Sequence, residues 1–121
     1  MVKISVDEAY AFDYLSILEI KKEKGSDIEN YINHIKKELI EQINVEKFEN
    51  IINSQEYFDL LDSNKLTFDA VDKAKTDEVS ASYVDVCNYQ RMISKKNLQS
   101  QFFSKSLNEI KIGYEKLKKN F

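Results

Sequence analysis

The stretch Val6-Asp-Glu-Ala-Tyr-Ala-Phe-Asp-Tyr-Leu-Ser-Ile-Leu-Glu-Ile-Lys-Lys-Glu-Lys24 is apolar around far more than one helical face, yet it carries Asp13 and Glu19 among its hydrophobic residues. A helix patterned this way is either deeply buried or a contact surface, and its embedded carboxylates need an explanation. Ser5 and Glu8 have capping-box spacing, and Gly25 is a natural residue just past a helix end. Together they predict a helix over about residues 6–24.

Working outward, Ser26 and Glu29 repeat the box at once, and Ile28, Tyr31, Ile32, Ile35, Leu39 and Ile43 then fall on one stripe. The two-residue joint forces these first two helices into an αα-hairpin. The phase breaks near Asn44. Val45, Phe48, Ile51 and Ile52 begin another helix, and Ser54 restarts it toward Tyr57, Phe58, Leu60 and Leu61. Asp62, Ser63, Asn64 and Lys65 have the composition of a loop, after which Thr67 would cap a short helix bearing Phe68 and Val71. Thr76, followed by Asp77 and Glu78, is placed to open the last long helical region. That region, residues 77–118, reads as one helix or two. Val79, Tyr83, Val86 and Ile93 share one side of its first part. Phe103, Leu107, Ile110, Tyr114, Leu117 and Phe121 form a short heptad seam in its last part. At 100° per residue the two stripes do not align, so the helix bends near residues 94–97 or its buried face rotates.

The chain has 121 residues, no proline and only two glycines, Gly25 and Gly113. Sheets need turn residues in quantity, so the fold class expected is all-α: an N-terminal helical hairpin packed on a long C-terminal helix, with short helices between. Residues 1–121 read as one domain, long enough to bury a core without staples. With 42% hydrophobic and 32% charged residues the composition is that of a globular protein. No apolar stretch is long enough to cross a membrane, and the N-terminus lacks the shape of a signal peptide. Cys87 stands alone, which excludes an internal disulfide and fits a reducing compartment, so a cytoplasmic location is expected.

Chemistry-bearing constellations are sparse. His34 and Glu38 have i, i+4 spacing, but no second histidine or Glu-x-x-His pair completes a metal site, and a surface hydrogen-bonding pair is the better reading. Asp62-Ser-Asn64 begins like a calcium loop but lacks its glycine, and Lys73 stands where the bidentate glutamate belongs. Cys87 is expected to be a small buried residue. No metal, cofactor or catalytic residue is assigned. The net charge of −3 argues against nucleic acid, and a membrane partner is not expected. Charge is nevertheless uneven, with seven lysines against Glu109 and Glu115 over residues 94–121.

Asp13 is harder to dismiss. It lies beside Ala9, Ile17 and Ile20 on the helical wheel, at the edge of the apolar stripe, and either Lys24, solvent or a cation from the C-terminal region could satisfy it. Glu19 falls with Glu8, Ser16 and Glu23 on a polar side, where solvent suffices. Phe12 falls on that same side, which points to a partner or second subunit covering it. Asn88, Arg91 and Lys95 form one polar row spaced three and four. In the frame of the later seam this row faces the groove, where Arg91 could meet Asp13 bidentately.

The segment Asp13-Tyr-Leu-Ser-Ile-Leu-Glu-Ile-Lys21 resembles the opening helix of an uncharacterised family of small bacterial helical proteins, whose signature runs Asp-Lys-hydrophobic-Ser/Thr-Ile-Leu-Glu-Ile-Lys. The resemblance continues in an Asn-x-x-Arg pattern at Asn88, Arg91 and Lys95, then Glu109, Lys111 and Tyr114, and covers both ends but none of the middle. Tyr14 replaces the family's lysine and the preceding glycine is missing. The resemblance implies no assigned activity and an association with surface-polysaccharide genes. It singles out Asp13, Glu19, Lys21, Asn88 and Arg91.

The function expected is a non-enzymatic helical interaction or scaffold module, a homo-oligomer or a protein-partner module, with Phe12, Phe103, Leu107, Ile110, Tyr114 and Leu117 as the contact surface. The alternative is a site for an anionic small molecule, such as a sugar phosphate or nucleotide, built from Asp13, Asn88, Arg91 and Lys95.

Overall fold

The computed structural model describes residues 1–104 and 106, and five helices fall within them: α1 (Glu8–Glu23), α2 (Glu29–Ile43), α3 (Val45–Ile52), α4 (Gln55–Lys75) and α5 (Ala81–Phe102). Among the described residues the protein is all-helical, with the α1–α2 hairpin packed on the long α5 and α4 lying along α5 more extensively than along any other helix. α1 runs opposite to α5, Glu8 meeting Gln99 and Asp13 meeting Arg91. It runs in the same direction as α4, Ser16 meeting Asn64 and Lys24 meeting Asp69. The seam residues Leu107, Ile110, Tyr114 and Leu117 lie outside the described residues.

The apolar excess of α1 is explained by its central position against α2, α4 and α5. Phe12, assigned above to a partner, is 0% exposed. Its ring stacks on Phe48 at 6.1 Å between centroids and meets Tyr57 edge-on at 6.3 Å. The wheel misplaced it because a helix with three neighbours has no single buried face. Leu15, Leu18, Ile32, Ile51, Leu60 and Leu98 complete the core. Phe103 is half-buried against it. Its backbone is extended (φ −134°, ψ 145°), so it ends α5, and its ring packs on the core with the Lys47 ammonium 4.3 Å from its centroid.

Helix ends follow local chemistry where a tertiary contact does not replace it. Gly25 (φ 105°) closes α1 with Ser26 N–H donating to Lys21 and its own N–H to Lys22, a Schellman stop. Ser54 and Ser80 cap α4 and α5 by accepting from Tyr57 and Tyr83 N–H, each at 3.1 Å. Neither capping box forms. At α1 the Ala9 N–H donates instead to the Gln99 side chain at 2.9 Å, so α5 supplies the cap. Thr76 does not open α5 but ends α4, because Asp77 takes the left-handed conformation (φ 59°) and Glu78 N–H returns to Lys73. Residues 62–65 are not a loop either. They sit in the middle of the unbroken α4, and α5 likewise continues through residues 94–97.

Asn44 joins α2 to α3 at φ 78°, ψ 158°, a conformation glycine adopts far more readily, while its side chain caps Lys47 N–H. Relief of strain and loss of the cap oppose each other on substitution. Asn44→Gly is therefore expected to be neutral or stabilising, whereas Asn44→Ala loses the cap without relief and costs about 1 kcal/mol. Urea midpoints of both variants check the order.

Candidate functional site

Asp13 is held by three helices. Arg91 on α5 grips its carboxylate with Nη2 at 2.6 Å from Oδ2 and Nε at 3.3 Å from Oδ1. Asn64 on α4 donates to Oδ1 at 2.9 Å and also to Ser16 Oγ at 2.6 Å, while Ser16 donates to the Asp13 backbone carbonyl at 2.7 Å. The Asp13 side chain is 8% exposed and that of Arg91 30%. Among the described residues every buried side-chain nitrogen and oxygen has a partner. Such a layer fixes the register of three helices, since sliding α1 by one residue orphans a charge in the interior.

The row Asn88–Arg91–Lys95 divides in its roles. Arg91 enters the interior; Asn88 is half-buried on α5 and makes no hydrogen bond to the Asp13 layer. Lys95 lies one turn further, with its ammonium 4.1 Å from the centre of the Tyr10 ring. Burial lowers the Lys95 pKa most, the Asp13 carboxylate opposes that shift, and the Arg91 cation adds to it. Tyr10, Lys95, Lys96 and Gln99 line a shallow cleft at the start of α1, together with Asp7. Asp13 and Arg91 do not line it. A more open cleft of about 320 Å³ between α4 and α5 is lined by Gln55, Glu56, Asp59, Ser94, Asn97 and Gln101.

Lys24 does not serve Asp13. It pairs with Asp69 at 3.4 Å, and beside it Glu23 pairs with Lys65 at 3.1 Å, fastening the end of α1 to α4. Glu19 is not left to solvent, because it accepts from Tyr57 Oη at 2.9 Å and lies 3.6 Å from Lys36. Burial, the Glu19 charge and that hydrogen bond together push the Tyr57 phenol well above its ordinary range. A raised folded-state pKa contributes stability that is fully present below pH about 10 and is lost as pH rises further. Tyr57→Phe is therefore expected to cost about 1 kcal/mol at neutral pH, with the gap to wild type narrowing above pH 10. Denaturation at both pH values measures it, and a constant gap would refute the assignment.

On the outer side, Tyr14 and Tyr31 meet edge-on at 6.4 Å with their hydroxyls 2.7 Å apart, both exposed. His34 and Glu38 form an exposed pair at 3.2 Å on α2, and Cys87 is buried. Asn64 and Ser16 are the residues that sequence reasoning missed. The i, i+3 placement of Asp13 and Ser16 was visible, but Asn64 stood in a segment with loop composition. No family model, curated protein or solved structure matches this chain, and no described helix is long and apolar enough to cross a membrane.

Proposed function

We propose that this protein is a non-enzymatic helical interaction module that self-associates through the exposed aromatic face formed by the middle of α1 and the first turn of α2. The observation that carries this reading is the Tyr14–Tyr31 pair. Two large amphipathic rings lie on the surface and brace one another through a 2.7 Å contact, so their order is set before any partner arrives. Rigid tyrosines are enriched at the energetic centres of interfaces because they bury much area at little entropic cost. Asp13, the most conspicuous polar group, is fully engaged in joining α1, α4 and α5, which supports a scaffold role for that layer.

Light scattering across a concentration series tests the reading. Wild type is expected to gain mass with concentration, and Tyr14→Ser combined with Tyr31→Ser to shift the association constant at least tenfold, about 1.4 kcal/mol, with little change in melting temperature. A monomer at every concentration would overturn it. A second reading, an anionic small-molecule site, is favoured by the half-buried Lys95 ammonium beside Lys96 in the cleft at Tyr10. It predicts that a sugar phosphate raises the melting temperature of wild type but not of Lys95→Ala.

A further inference from the structure

Residues 1–6 stand apart from the helical body. Val2, Ile4 and Val6 are 88%, 76% and 46% exposed, and no hydrogen bond or ion pair joins residues 1–6 to the rest of the described residues. Their sequence alternates strictly: β-branched apolar residues at positions 2, 4 and 6, with Lys3 and Ser5 between. That is strand periodicity in front of a helical bundle, with stiff side chains suited to a pleated surface and the backbone groups of the segment unpaired. The base of this arm is fixed, since Asp7 accepts from Ser106 Oγ at 2.7 Å and Gln99 caps the first turn of α1.

The arm is its own antiparallel complement. Pairing centred on Ile4 sets Val2 against Val6, Ile4 against Ile4 and Lys3 against Ser5, so all apolar side chains share one face and no like charges oppose. A parallel in-register pairing would instead set Lys3 against Lys3, which is unfavourable. This charge and side-chain complementarity selects a second copy of the chain as the occupant, and an antiparallel pair is what a two-fold axis generates. We infer that the Val2–Val6 arms of two copies pair antiparallel about Ile4, holding the start of each α1 beside its counterpart. This rests on the self-association reading above and names the device that sets its register. A two-stranded ribbon alone is marginally stable, so the dimer is expected to be weak and concentration-dependent.

Oxidative cross-linking of the full chain tests the register. In Ile4→Cys the introduced thiols face each other across the axis at a distance a disulfide spans, and rapid formation of covalent dimer is expected. Val2→Cys alone should not cross-link, whereas Val2→Cys mixed with Val6→Cys should. Wild type, whose Cys87 is buried, gives the background. Equal rates for Ile4→Cys and Val2→Cys, or no dimer in either, would overturn the pairing. Ile4→Asp, which opposes two carboxylates on the axis, should weaken the native dimer at least tenfold in light scattering. A dimer that persists unchanged in Ile4→Asp overturns the arm pairing alone. A wild type that is monomeric at every concentration overturns it together with the self-association reading.

Discussion

Arg91→Leu is expected to destabilise the fold by about 3 kcal/mol, the lower end of the cost of stranding a buried charge, because the Arg91 side chain keeps 30% of its exposure. The loss comes from Asp13. With the guanidinium gone, its carboxylate retains only the Asn64 amide, and 8% exposure gives water little access to replace two charge-assisted bonds. A domain of this size has only about 5–15 kcal/mol in total, so the urea midpoint should fall sharply with an unchanged slope. Exchanging Asp13, Asn64 and Arg91 together for leucine removes the charge and its partners at once, and should recover most of the loss. If Arg91→Leu melts like wild type, the pair does not hold the helices together, and the case for a ligand at Arg91 strengthens accordingly.

The same cluster shows what could and could not be read from the chain. Asp13 stood out because a carboxylate at the margin of an apolar stripe demands a partner, and the three–four spacing of Asn88, Arg91 and Lys95 put a cation within reach. Gly25, Asn44 and Ser54 marked real joints, since each has a local conformational or capping reason to be there. Asn64 was invisible for the opposite reason. Asp62-Ser-Asn-Lys65 has loop composition, and only Asp13 and Ser16, some fifty positions earlier, make a buried asparagine favourable inside a helix. Thr76 has the composition of a helix start, yet it closes α4, and Ser80 caps α5. The left-handed backbone at Asp77 separates the two, and no residue pattern announced it. Glu19 looked solvated because its phenolic partner, Tyr57, comes from another helix.

Phe12→Ala is expected to cost about 3–5 kcal/mol, the range for emptying an aromatic site in a core. The ring is wholly buried, touches Phe48 on one side and the edge of Tyr57 on another, and so ties α1 to both α3 and α4. α3 has only eight residues and buries just Phe48 and Ile51, so it has little else with which to follow the contracting core. The space left behind should therefore remain largely unfilled. Phe12→Leu keeps most of the apolar volume and should lose less than half as much. Had Phe12 been a contact with a second molecule, alanine would abolish association and leave the melting temperature alone. A burial site predicts the reverse: a melting transition lowered by more than 10 °C, at about 4 °C for each kcal/mol, and association lost only in proportion to the folded fraction. Measuring both quantities on one sample separates the two, and an unchanged transition would return Phe12 to the surface.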